Sequence, residues 1–195
     1  MLGLKSKTPE KWAKIVMEDL ETFLTDHAYN EMKAAQSAMA VINHRPNEVE
    51  FVNTMSALAI EEMQHFEMVY DKILKLNLPL GAESQNEYAM LLRKFFPKTK
   101  DKEEKFLQKL MLSSLMEARS CERFSVLVKV MKPVNPQLAQ FYDDLFESEA
   151  RHYRTFLGYA RQFGGRERID KIWDELLTYE AEIMNKRGNS PLVHG

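Results

Sequence analysis

Glu62 with His65 and Glu149 with His152 form two Glu-x-x-His steps. Residues three apart lie on one helical face, so each pair can offer a carboxylate and an imidazole to the same ion. Two further acids match them: Glu31 lies 31 residues before Glu62, and Glu117 lies 32 residues before Glu149. Each acid falls in an apolar stripe at helical spacing, as in Ala28, Glu31, Ala35 and Ala38, or Leu145, Glu149, His152 and Phe156. A carboxylate buried alone would take up a proton, and four in one core would also repel one another. Two divalent cations balance four carboxylates while both histidines stay neutral and ligate. Mixed carboxylate and imidazole ligands without thiolates suit iron or manganese, and iron is the expectation.

Holding six side chains at one depth requires helices with well-placed ends. Seven Gly and seven Pro interrupt the 195 residues only in clusters, leaving segments near 9–44, 47–77, 84–96, 100–132, 136–163 and 166–187. Thr8-Pro9 and Asn135-Pro136 each put a capping side chain before a proline at the first helical position, and Asn47 with Glu50 resembles a capping box. No stretch alternates in the manner of a strand. The reading is all-α: four long helices, a short helix in the middle connection, and a C-terminal helix. The midpoint of residues 31 and 62 falls between Pro46 and Asn47, and that of 117 and 149 falls on Pro133. Turns at both places make two antiparallel hairpins with their acids level, and residues 78–99 are long enough to cross the bundle lengthwise.

Composition bounds the rest. With 45% apolar and 29% charged residues, the chain reads as one globular domain over 1–195. A net charge of -2 confines any nucleic-acid contact to local patches. Cys121 is the single cysteine, which excludes an internal disulfide or a multi-cysteine metal site. The start lacks a signal-peptide core and no run is long enough to span a membrane, so a cytoplasmic protein without membrane contact is expected.

One Glu from each of two helices and a Glu-x-x-His from each of the other two is the constellation of ferritin-like di-iron carboxylate bundles. The runs Asp26-His27-Ala28-Tyr29-Asn30-Glu31, Glu61-Glu62-Met63-Gln64-His65-Phe66, Glu117-Ala118-Arg119-Ser120-Cys121-Glu122-Arg123-Phe124 and Ser148-Glu149-Ala150-Arg151-His152-Tyr153 together resemble the MiaE family of tRNA hydroxylases. The resemblance covers nearly the whole chain. It implies an O2-dependent non-haem di-iron monooxygenase that hydroxylates the isopentenyl side chain of 2-methylthio-N6-isopentenyladenosine at tRNA position 37. It also implies two iron ions (Fe2+/Fe3+) on Glu31, Glu62, His65, Glu117, Glu149 and His152, with O2 as cosubstrate and no catalytic residue beyond the metal centre. No flavin, nicotinamide or cysteine-cluster motif is present, so an external reductase must supply electrons to a monomer or small homo-oligomer that binds tRNA. The competing readings are a ferritin-like iron-handling protein, which needs a large cage, a peroxide-reducing relative, whose usual four-cysteine domain is absent, and a binding protein keeping metal for stability.

Other residues carry weaker expectations. His27, four before Glu31, is balanced between orienting that acid and being a half-buried polar residue. Glu61 is read as solvated or orienting, Glu122 as a salt-bridge partner of Arg119 or Lys129 on a polar face, and Cys121 as a small core residue. Tyr29, Tyr142 and Tyr153 read as packing, the methionines as core filler or lining for a prenyl pocket, and His44 and His194 as turn and tail residues. Residues 93–109 and 151–171 each carry a local charge of +4 and could hold phosphates or be solvated surface.

Overall fold

A computed structural model describes residues 2–187 and 189–195. Among them are seven helices and no strand: α1 (Glu10–Glu18), α2 (Leu20–Ile42), α3 (Val49–Lys75), α4 (Glu87–Arg93), α5 (Lys102–Met131), α6 (Pro136–Gly164) and α7 (Arg166–Met184). No described helix is long and apolar enough to cross a membrane. The most extensive contacts join α2 to α3 and α5 to α6, the two expected hairpins. Residues 76–101 cross between them and carry α4, while α7 packs on α6 and α1 on α5.

Two of the three expected caps are corrected. Asn135 accepts from the Leu138 amide at 3.0 Å with Pro136 opening α6, as read. The Thr8 hydroxyl instead donates to Glu122 at 2.6 Å, a stronger partner than a neutral amide, and caps nothing. Asn47 lies within the turn closed by the Glu48 amide on the Arg45 carbonyl, so α3 starts only at Val49 and has no side-chain cap. The first long segment is also broken. Asp19 leaves the helical region at φ -140° and its carboxylate accepts from the Thr22 amide at 3.1 Å, starting α2 afresh. Gly165, at φ +82°, makes the reversal from α6 into α7 that a side-chain-bearing residue resists.

The core is in two parts. Ala38, Val41, Phe51, Met55, Leu107, Leu110, Phe156 and Ala160 belong to one cluster. Phe23, Leu24, Val69, Phe124, Leu127, Tyr142 and Leu145 belong to the other. Along every long helix the two sets are separated by the acid. Burying one such side chain contributes roughly 1.5–3 kcal/mol. The two ends therefore hold the bundle together around a polar layer that would not fold by itself.

Candidate metal centre

All six sequence-predicted ligands converge in that layer, and each is at least nine-tenths buried. Two groups result: Glu31, Glu62, His65 and Glu149, and Glu62, Glu117, Glu149 and His152, with the donor atoms of each group within 4.8 Å of one another. Glu62 and Glu149 belong to both. His65 Nδ1 lies 3.1 Å from Glu62, 3.5 Å from Glu149 and 3.6 Å from Glu31.

The donor set fits a pair of cations. Glu62 Oε1, Glu149 Oε1 and His152 Nδ1 are buried without a hydrogen-bond partner among the described residues. His152 Nδ1 and Glu62 Oε1 are only 2.7 Å apart, yet their orientation makes no hydrogen bond. Such orphaned polar atoms are rare in cores and ordinary around a metal. The electrostatics agree. Burial works to lower His65, but hydrogen bonds and charge from Glu31 and Glu62 together push it up to about 10. His152 is likewise raised to about 9 against its burial by Glu62, Glu117 and Glu61. Burial and then the charge of Glu62 lift Glu117 to about 8, and Glu149 is raised for the same reasons. Glu31 goes the other way: burial would raise it, but His27 and His65 outweigh that. The layer draws in positive charge from whatever source is present.

Neighbouring groups orient the ligands. His152 Nε2 is held by Glu61 at 3.0 Å, leaving Nδ1 toward the cluster, and Arg151 pairs with the same Glu61. A ligating imidazole held at its other nitrogen by a carboxylate is the usual arrangement around metals. His27 Nε2 sits 2.5 Å from Glu31 without a well-oriented hydrogen bond, and its Nδ1 lies 3.2 Å from the Tyr142 hydroxyl. Thus Glu61 and His27 both take the orienting alternative, and Tyr142 does more than pack.

Glu122 pairs with Arg119 at 2.8 Å, while Lys129 pairs with Glu10 instead. The face read as polar is in fact interior, because Arg119 and Arg123 are fully buried. Cys121 is core, its thiol pushed up to about 12 by burial and then by Glu117. Tyr29 donates to the Gly81 carbonyl at 3.1 Å, Tyr153 packs on Trp173, and His44 stacks on Phe106 beside its turn. His194 corrects the reading most: it is no free tail residue but is buried against Tyr88. In the sequence it is a histidine far from any ligand spacing.

A cavity of about 660 Å³ opens between α2, α4 and α5. Glu31, Glu117 and Glu149 form part of its wall, with Ala34, Ala89, Leu112 and Met116 among its apolar lining. Arg93 and Lys109, both exposed, also border it.

A helical bundle with two Glu-x-x-His helices and two Glu helices converging at mid-height defines a ferritin-like carboxylate protein. A solved Synechococcus protein, described as having aldehyde deformylating oxygenase activity, superposes with a TM-score of 0.87 at 28% identity, covering 98% of this chain and 95% of that one. The sequence model of the MiaE family, described as tRNA-(MS2IO6A)-hydroxylase, matches residues 2–195, and the chain belongs to that family of enzymes. A relative from Pseudomonas putida, named tRNA 2-(methylsulfanyl)-N(6)-isopentenyladenosine(37) hydroxylase, is 34% identical over 91% of this chain and 84% of its own. A Salmonella typhimurium protein of the same name is 26% identical over 84% of this chain and 77% of its own.

Proposed function

We infer that the protein is a di-iron monooxygenase hydroxylating the isopentenyl group of 2-methylthio-N6-isopentenyladenosine at tRNA position 37. The observation that carries this reading is the cavity, which joins the six-residue cluster to a cationic rim. Its volume lies in the range of small-molecule sites and its apolar lining suits a prenyl chain. Glu31 and His65 would hold one ion, Glu117 and His152 the other, with Glu62 and Glu149 shared between them. Two iron ions there would supply, with dioxygen and two electrons from an external reductase, the oxidising power to hydroxylate an unactivated carbon. The chain supplies placement: His27 and Glu61 lie against two ligands, and the Tyr142 hydroxyl lies against His27. Mass spectrometry of tRNA nucleosides from cells with and without the gene tests this. The hydroxylated adenosine should vanish without it, and an unchanged profile would refute the reading.

The two basic stretches differ in what they leave free. In 151–171, Arg151, Arg161 and Arg168 are engaged by Glu61, Asp170 and Glu104. In 93–109 the acids are engaged elsewhere: Asp101 caps α5, Glu103 pairs with Arg45 and Glu104 with Arg168. Arg93, Lys94, Lys98, Lys100, Lys102, Lys105 and Lys109 are all exposed and make no ion pair among the described residues. This favours 93–109 as the phosphate-contacting face. Reversing the charges of Arg93, Lys94 and Lys98 is expected to weaken tRNA binding about ten-fold or more at physiological salt and to flatten its salt dependence, with iron content unchanged. Equal weakening from Arg154, Arg166 and Lys171 reversals would move the contact to the other face.

A further inference from the structure

The cavity beside the metal layer runs along the bundle. Its wall on α2 includes Glu31, Ala34 and Ala40, and its wall on α5 includes Glu117, Ser113 and Lys109. The two helices run antiparallel here, because their acids share one layer while His44, just past the end of α2, meets Phe106 and Lys109 of α5. Ala40 lies nine residues after Glu31 and Lys109 eight before Glu117, so at about 1.5 Å per residue both stand roughly 12–14 Å from the layer, at the same end. The cavity therefore has two unlike ends, one of carboxylates and one that reaches Lys109.

Hydrogen bonds build the carboxylate end. Asp26 accepts from Ser84 and Asn30, each at 3.0 Å, and from the Val193 amide at 2.8 Å, which ties the crossover and the segment after α7 to α2. Asn86 of the crossover adds a bond of 3.0 Å to Asn30. The other end carries charge. Among the described residues, three Lys or Arg side chains line the cavity: Lys33, Arg93 and Lys109. Lys33 pairs with Glu83 at 2.8 Å, whereas Arg93 and Lys109 are exposed and have no acidic partner among the described residues. Lys109 Nζ lies 3.4 Å from His44 Nε2, but burial and then Lys109 itself hold that ring below its ordinary value, so the neighbour is neutral and cancels no charge.

We propose that Arg93 and Lys109 form a phosphate subsite for the very nucleotide whose prenyl group reaches the metal layer, so that the substrate lies lengthwise along α2 and α5 with an adjoining phosphate at the cationic end. The distance between the two ends is on the scale of one prenylated nucleotide, from the tip of its side chain to its phosphorus. The carboxylate end offers a phosphate no free cation of this chain, so the charge pattern also fixes which way round the nucleotide lies. Of the seven cations in 93–109, only these two line the cavity, and the other five can meet only phosphates further along a nucleic-acid chain. The inference rests on the hydroxylase reading and narrows it: the cavity takes a nucleotide in preference to a bare nucleoside.

Calorimetric binding of 2-methylthio-N6-isopentenyladenosine and of its 5′- and 3′-monophosphates to the iron-loaded protein tests it without turnover. At least one monophosphate should bind about ten-fold or more tightly than the nucleoside at physiological salt, and which one does so shows on which side of the sugar the phosphate is held. Arg93→Gln combined with Lys109→Gln should close that gap by weakening the monophosphate. Lys98→Gln combined with Lys100→Gln removes the same charge from outside the cavity and should keep the gap. Iron content and circular dichroism should match throughout. Equal affinity for all three ligands, binding of none, or a gap that survives in the Arg93 and Lys109 pair overturns the proposal. So does a gap lost equally in both double variants, since the attraction would then be diffuse. A gap that depends on Arg93 and Lys109, with no turnover of the monophosphate or of a stem–loop carrying the prenylated adenosine, would remove the hydroxylase reading and leave the subsite standing. Turnover of the stem–loop with no gap would do the reverse.

Discussion

Glu62→Ala and Glu149→Ala are each expected to leave less than one iron per chain and to lower hydroxylation by about a thousand-fold or more. These two acids, unlike Glu31 or Glu117, belong to both ligand groups, so removing either one damages both halves of the centre. Helix content should survive, because the apolar clusters on each side of the layer are untouched. The metal-free Glu62→Ala protein should lose stability, because His65 and His152 are left buried without the acid that pairs with both. Iron analysis, turnover and urea unfolding of the metal-free forms measure the three effects. Full iron retention in either variant would show that the shared position is wrong, and a metal-free Glu62→Ala protein as stable as the parent would show that the two histidines do not depend on that acid.

Arg119→Met is expected to destabilise the fold by about 3–5 kcal/mol, the usual consequence of leaving a buried charge unpaired. Arg119 and Glu180 are both fully buried and meet at 2.7–2.9 Å through two guanidinium nitrogens, and the Tyr88 hydroxyl adds a bond of 2.9 Å to the same acid. Burial already raises Glu180, with Arg119 and Tyr88 pulling it back. Without Arg119 the acid is raised further. A carboxylate whose folded value exceeds its unfolded one is tolerated below the unfolded value and destabilises as the pH climbs. The deficit should therefore grow between about pH 5 and pH 8, and adding Glu180→Leu should recover most of it. Urea midpoints across that range decide the matter, and a deficit no larger than that of Arg161→Met at the surface would mean the pair is unimportant.

The convergence of the six acids and histidines was legible because helical spacing, two Glu-x-x-His steps and turn-centred symmetry all specify the same depth. Each signal is local or depends on a single hairpin. Asp19 was missed for the opposite reason: neither a glycine nor a proline marks the break, and only the capped Thr22 amide reveals it. Arg119 and Arg123 look like surface residues because charge alone does not disclose that Glu180, and a backbone segment some 70 residues later, will cover them. His194 needed the same long return of the chain. The two basic stretches were equal by count and became unequal only when their partners, such as Glu61 and Asp170, were brought alongside.

Asp26 ties Ser84 of the crossover and Val193 of the last segment to one point beside the cavity, yet neither of those stretches carries any of the six inward acids and histidines. The cavity wall is thus drawn from two sources: α2 and α5, which also carry Glu31 and Glu117, and the crossover with the last segment, which carry none of the six. Drift in the crossover and the last segment can reshape that part of the cavity while the six converging side chains stay in place.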